Sequence, residues 1–408
     1  MKLISGDILW SSINEVPKQY PSLVRDIECD VLIIGGGVTG ALASYYLSEN
    51  TFDVVVVEKN IVGYGSTRAS TSILQYEVDT DLYGLSHMIG EKKAVAAFKL
   101  CEQGVYDIEN IISNLGDNCD FRLNECLYYT QNSSKVSYMK KEYELRKKHG
   151  FSVEFLENKN EVQGITVPIH AGIYSYKGSA EIDPYRFTHS LISKAIERGV
   201  KVYENTEVKK IKPNFDNVVV ETINNFKIKA KKVIIASGYE SIEYFNKKLA
   251  NMFRTFTIVT KPINKLQEMQ SITMRDDKDA YTYIRTTGDN RIIIGGDDEK
   301  IGKETSNMAN LSNDDKASEV KYNILYEKLK KFYPQFSNME IDYKFSGIFA
   351  VTKDGLPHIG EKKDMPNCYF IMSYGSNGIL YSTIGAKLLT DLFSGNKRKE
   401  LEIFRYDR

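Results

Sequence analysis

Residues 31–34 form an unbroken apolar run rich in β-branched side chains, the pattern of a strand buried on both faces. Leu42, Tyr45, Tyr46 and Leu47 follow at spacings suited to a helix packed on that strand, and residues 52–58 supply a second strand. From about residue 90 to 115, Ala94, Val95, Phe98, Cys101, Val105, Ile108, Ile111 and Ile112 recur with helical period, a packing face that carries no visible chemistry. Residues 123–130 and 151–155 predict strands on either side of a charged helix over 135–149. Asp183 and Pro184 read as the cap and first position of a helix running to about residue 198. Short strands are predicted over 200–204, 208–211, 218–222, 226–228 and 232–238. Residues 252–262, 280–286, 291–296 and 343–350 suit an antiparallel sheet, with a helix over 316–332 between the last two. Residues 369–389 repeat the opening arrangement of strand, glycine turn and helix.

The turn after the first strand carries Gly-x-Gly-x-x-Gly at Gly35, Gly37 and Gly40. In such a turn the first glycine makes the bend, the second lets the backbone approach a pyrophosphate, and the third lets helix and strand pack closely. Glu58 ends the second strand where an acid reaches ribose hydroxyls, so the context predicts a dinucleotide site; a merely tight βα turn is the alternative. Residues 62–72 are dense in small and hydroxyl side chains that offer donors near the phosphates, an ordinary solvated loop being the other reading. The strand ending Ala236-Ser237-Gly238 again allows close backbone approach. The N-terminus of the last helix is placed to stabilise negative charge on a ligand ring.

Composition narrows the partners. The 408 residues allow two or three domains, and a 42% hydrophobic content sustains real cores. Lys plus Arg balances Asp plus Glu at 54 each, so no bulk field favours nucleic acid or an anionic membrane, and the expected partner is a small molecule. Five cysteines without Cys-x-x-Cys spacing predict reduced thiols and no metal site. Residues 1–26 lack the basic segment, apolar core and cleavage site of an export signal, which predicts a cytoplasmic protein. Residues 31–47 are too short and too glycine-rich for a membrane span. The first 29 residues, with Trp10, Tyr20, Leu23, Pro17 and Pro21, read as an irregular arm across the body.

In order along the chain, the glycine motif with Glu58, Gly63-Tyr64-Gly65-Ser66-Thr67-Arg68, Ala236-Ser237-Gly238, Ile294-Gly295-Gly296, residues 352–360 and Tyr374-Gly375-Ser376-Asn377-Gly378 resemble the FAD-dependent D-amino acid oxidase superfamily. That superfamily includes glycine oxidase, sarcosine oxidase and γ-glutamylputrescine oxidoreductase. The resemblance implies an α/β fold: a Rossmann-like FAD-binding domain (1–85, 172–238 and 345–408) interleaved with an α+β substrate domain on an antiparallel sheet (86–171 and 239–344). It implies FAD bound by Gly35, Gly37, Val38, Thr39, Gly40, Glu58, Lys59, Gly65, Ser66, Thr67, Val208, Ala236, Ser237, Gly238, Gly347, Asn377, Gly378 and Ile379. Val208 would meet the adenine, and Gly378 with Ile379 the pyrimidine end of the flavin.

The departures bear on substrate. Phe349 stands where glycine oxidase and D-amino acid oxidase carry the arginine that grips a carboxylate, and a phenyl ring cannot do so. Leu380 falls where sarcosine oxidase places its lysine clamp, and Gly347 where it attaches flavin covalently, so the flavin is expected to be non-covalent. Arg68, Arg254 or Arg285 are candidates to restore a clamp. Sarcosine oxidase's dioxygen-activating lysine falls at Ile293 and a flavin-side histidine at Asp297, which leaves dioxygen and a redox partner both open as electron acceptor. The expected reaction is oxidation of a C–N bond in an amine or N-substituted amino compound by hydride transfer, the imine then hydrolysing. Phe349, Tyr281, Tyr283 and Tyr374 are candidates for the substrate wall, each with core packing as its alternative. Asp297 is a candidate to orient or deprotonate the amine, or else a turn cap, and His358 either touches the site or is structural. A 2-hydroxy acid or polyol dehydrogenase on the same fold, and a flavin-holding redox partner without turnover, are the alternative functions.

Overall fold

The computed structural model describes residues 3–266, 272–278, 280–301, 316–336 and 338–408. The chain opens with β1 (Ile4–Gly6), α1 (Leu9–Ile13), β2 (Ile27–Ile34), α2 (Val38–Ser48), β3 (Val54–Val57), β4 (Ile73–Gln75), α3 (Leu82–Ile89) and α4 (Glu91–Ile112). There follow β5 (Arg122–Thr130), α5 (Val136–Lys148), β6 (Val153–Val162), β7 (Ile165–Glu181), α6 (Pro184–Glu197), β8 (Lys201–Tyr203), β9 (Val208–Pro213), β10 (Val218–Thr222) and β11 (Lys227–Ile235). The last part holds β12 (Ala250–Thr260), β13 (Ile272–Asp276), β14 (Thr282–Thr286), β15 (Ile292–Lys300), α7 (Lys316–Phe332), β16 (Ile341–Thr352), β17 (His358–Glu361), β18 (Cys368–Met372) and α8 (Gly378–Phe393).

These strands make two sheets. In the first, β18, β11, β2, β3 and β8 lie side by side and parallel, with β17 antiparallel at one edge and the β9–β10 hairpin extending from β11. Val31–Ile34 and Val54–Val57 face cores on both sides, which is why their sequence is uniformly apolar rather than alternating. The helices α2, α4, α6 and α8 share one core above this sheet. The second sheet runs β1-β16-β12-β15-β14-β13-β5-β7-β4, with β6 also on β7; its described pairings are antiparallel apart from β13 on β5. The helix α7 closes a second core against this sheet through Tyr322, Leu325 and Leu329. Parallel and mostly antiparallel sheets thus coexist, the α/β plus α+β architecture expected from the sequence.

Several elements differ from the sequence reading. The first residues are irregular only over 14–26, which lie against Glu204 and Thr206; before them β1 pairs with β16, and the Trp10 indole is buried with its Nε1 donating to the Ser70 carbonyl at 2.7 Å. The 17 residues of β7 were invisible to periodicity because Pro168, Gly172 and Gly178 break the pattern, and β13 is a strand of only five residues, two of them charged. The predicted strands at 226–228 and 232–238 are one continuous strand, β11, whose central Ala230 and Lys232 pair with Cys29 and Val31 of β2. Asp183 does cap α6: its Oδ1 accepts from the Tyr185 and Arg186 amides. Among the described residues no helix is long and apolar enough to cross a membrane, and no group of three or more His, Cys, Asp or Glu side chains is placed to hold a metal ion.

Candidate active site

A cavity of about 610 Å³ runs from the carboxyl ends of β2, β3 and β11 to the face of the second sheet. Its nucleotide end is built by backbone. Gly35 adopts φ +113°, and a Cβ there would stand 2.4 Å from the Ala236 carbonyl oxygen. Gly37 has only the Thr67 hydroxyl nearby, at 3.1 Å from a hypothetical Cβ, so the turn presents bare backbone to the cavity at the start of α2. Gly40 does not line the cavity; a Cβ there would meet the Gly35 carbonyl oxygen at 1.9 Å, so it serves the close approach of helix and turn. Thr67 holds the loop by accepting from the Val38 amide at 3.0 Å.

Glu58 accepts from the Gly36 amide at 2.7 Å and the Asn60 amide at 2.9 Å, and burial raises its pKa against the pull of those two amides. Lys59 pairs with Glu240 at 2.6 Å. Val38, Thr39, Gly65, Ser66, Val208, Ala236, Ser237 and Gly238 line the same end. Gly347 of β16 also lines the cavity, as do Asn377, Gly378 and Ile379 at the start of α8, where Asn377 donates to the carbonyls of Gln75 and Glu77. Ser376 is held by Asp79, a half-buried carboxylate whose pKa is raised by desolvation. The bare glycine turn and an acid at the end of β3 fit the diphosphate and ribose of a dinucleotide, and the α8 N-terminus fits an electron-accepting ring.

The second sheet supplies the opposite wall. Phe349, Tyr281 and Tyr283 line the cavity from this side, and Tyr374 lines it from beyond β18 of the first sheet; Phe349 lies against Phe253 at 5.8 Å between ring centroids, and Tyr281 against Tyr283 at 5.8 Å. Asp297 does not reach it: its carboxylate takes the Lys328 ammonium at 2.8 Å and its backbone carbonyl accepts from Lys321. The next residue, Asp298, lines the cavity instead. The cause is a bulge. Phe256 pairs with Gly296 and Arg254 with Glu299, so Thr255 alone stands opposite two residues, and Asp297 turns outward at φ +52°.

Among the candidate clamps, Arg68 lines the cavity with its guanidinium 4.2 Å over the Tyr64 ring. Arg254 is directed to Ser318 and Ser346. Arg285 is buried and donates to the carbonyls of Thr71, Ser72 and Ile182. His358 is turned away from the cavity onto Arg408, and burial lowers its pKa to about 4. Leu380 is fully buried in α8, and Ile293 is buried in β15.

Sequence reasoning missed Arg275. It lines the cavity from β13, stacks 4.1 Å over the Tyr128 ring, and donates through Nε to Glu77 at 3.0 Å, while Nη2 has no hydrogen-bond partner. Glu77 also binds the fully buried Arg146, which in turn bonds Glu142, so one carboxylate serves two guanidinium groups. Arg275 is 8% exposed, and a signal for it would have required recognising β13.

Residues 30–392 match the family described as FAD dependent oxidoreductase, DAO. Gamma-glutamylputrescine oxidoreductase of Escherichia coli K12 is 23% identical over 93% of this chain and 87% of its own length. Glycine oxidase of Bacillus subtilis is 22% identical over 93% and 97%. Among solved structures, L-proline dehydrogenase of P. horikoshii superposes with a TM-score of 0.78 at 19% identity, covering 94% of this chain and 98% of that one, a likeness of fold. The match spans both sheets and the glycine turn between β2 and α2, and the chain belongs to the DAO family of FAD-dependent oxidoreductases.

Proposed function

We propose that the protein oxidises a C–N bond in an amino compound that also carries an acidic group, an amine or N-substituted amino acid, with non-covalently held FAD. When bound, the flavin supplies the two-electron acceptor for the hydride, and the resulting imine is hydrolysed in water. The observation that carries this reading is Arg275: a guanidinium on the cavity wall, 8% exposed, with one nitrogen unmatched by the protein. An unpaired buried donor is costly, and a substrate carboxylate would meet it. Arg275 thereby takes the clamp role that Phe349 cannot perform, from a different strand. The aromatic wall then positions the apolar part of the substrate and excludes water.

Non-covalent attachment is supported by the lining, which contains neither cysteine nor histidine. The test is anaerobic bleaching of the flavin-loaded protein by amines, N-substituted amino acids and 2-hydroxy acids. Amino compounds bearing a carboxylate are expected to bleach it, and Arg275→Gln to raise the concentration needed by about 10-fold or more, as for loss of a charged hydrogen-bond partner. Bleaching by hydroxy acids alone would refute the reading.

A further inference from the structure

The bulge between β12 and β15 sends two consecutive carboxylates to opposite destinations. Asp297 is neutralised by Lys328 of α7, whereas Asp298 is delivered to the cavity wall with its Oδ1 shielded from solvent and without a hydrogen-bond partner. The groups that face it come from four sides. They are Tyr283 of β14 with Tyr281 just before it, Asp79 from the loop after β4, Lys321 of α7 and, on β12, the uncharged Thr255. Asp297 is its charged neighbour on β15. Burial is the largest influence and pushes its pKa up to about 7, with Asp79 and Asp297 adding to the rise and Thr255 and Lys321 opposing it.

A second unmet group stands on the same wall. Arg275 pairs across to Tyr283, and Tyr283 to Gly295, so the guanidinium and Asp298 are two strands apart and offset along the sheet. Arg275 is buried and Asp298 half-buried, each has one shielded atom without a hydrogen-bond partner, and their signs are opposite. An occupant with an acid at one end and an amine at the other satisfies both, while a purely apolar one leaves both unpaired and a purely anionic one sets further negative charge beside Asp298.

We propose that Asp298 is a catalytic residue of this site: it holds the amino group of the substrate and takes one proton from its ammonium form. The inference rests on the proposed function and names the group that prepares the amine for it. In the step, one N–H bond of R–NH3+ breaks and one O–H bond forms on the Asp298 carboxylate. The electron pair stays on nitrogen, giving R–NH2 and a neutral carboxylic acid with no change in total charge. A neutral amine has the lone pair needed to expel hydride from the adjacent carbon; an ammonium does not. The proton leaves Asp298 to water when product departs.

Equilibrium binding to the flavin-loaded protein tests this without turnover. n-Butylammonium and benzoate serve as probes of the two poles, read from the perturbation of the flavin's visible absorption between about pH 5.5 and about pH 8.5. In the wild type, n-butylammonium is expected to bind about 10-fold more tightly at the upper pH, where Asp298 is ionised. Asp298→Asn should abolish that pH dependence and weaken n-butylammonium binding by about 10-fold at the upper pH, while changing benzoate affinity by less than about 2-fold. Asp298→Glu should restore the pH dependence. Equal affinity and an unchanged pH profile in Asp298→Asn overturn the inference. Should that variant fail to hold flavin, a flat wild-type profile overturns it and a sloping one that Asp298→Glu retains supports it. If benzoate needs Arg275 while n-butylammonium ignores Asp298, this inference alone falls; if the wild type binds no FAD, the proposed function falls with it.

Discussion

At Gly40 the absence of a side chain is a steric requirement, because a methyl group would be driven to 1.9 Å from the Gly35 carbonyl oxygen, which is backbone and cannot yield. Gly40→Ala is expected to cost about 1–3 kcal/mol, the scale of overpacking in a tight core, and to weaken FAD retention because the displaced atoms belong to the phosphate-facing turn. Thermal unfolding and flavin content after gel filtration measure both. Asp298 gives a stability prediction of the opposite sense. Its pKa is raised on folding from an ordinary 3.8 to about 7, so the folded state binds the proton more tightly. Its contribution is most favourable below the unfolded value and is lost as pH climbs through the folded one. Asp298→Asn should therefore melt above the wild type at pH 8, with the gap closing toward pH 4; a gap independent of pH would contradict the desolvated carboxylate. The motif glycines and Glu58 were legible from residue spacing because backbone sterics act locally, whereas Val208 was indicated by the family resemblance alone. Asp298 was not: the sequence offers Asp297 and Asp298 as equals, and only the bulge opposite Thr255 turns one outward and one inward.

Elements are held in place around the cavity by a buried ionic network. Arg146 of α5 bonds Glu77 after β4 and Glu142 of its own helix, while Glu142 receives the first amides of α3. Replacing Arg146 by Met leaves Glu77 and Glu142 as buried carboxylates with reduced compensation, and a loss of about 3–5 kcal/mol is expected from chemical denaturation. Because Glu77 also steadies Arg275, the same variant should weaken benzoate binding beside the flavin. The element pattern was readable where a segment lies in one consistent environment, as in α4 or β3. It failed for β7, whose 17 residues cross several environments and carry glycines at 172 and 178, and for β13, whose five residues are too few to show a period.

At the scale of the molecule, the two sheets meet along the cavity, and the N-terminal segment helps to seal the join. Leu3 and Ile4 line the cavity, β1 covers the edge of β16, and Trp10 is 2% exposed beside Ser70, itself a lining residue. Trp10 is the only tryptophan in the sequence, so its emission reports on this seam alone. Adding FAD to flavin-free protein should quench it, and Trp10→Ala should cost about 3–5 kcal/mol, as for other buried tryptophans. Unchanged emission on FAD binding would place the flavin elsewhere than against this wall.

The sequence by itself determined the nucleotide half of this protein. A glycine turn, a run of β-branched residues and an acid at a strand end are each fixed by contacts within a few residues, so their meaning survives without coordinates. The aromatic wall was also named from the sequence, but the charged groups of the substrate half were decided by tertiary structure alone. Arg275 and Asp298 acquire their roles from strand neighbours that the chain order does not announce, from a one-residue slip between β12 and β15, and from burial that leaves one atom of each without a partner. Local sterics are written in adjacent residues, whereas the desolvation that makes a charge seek a ligand exists only once distant segments have closed around it.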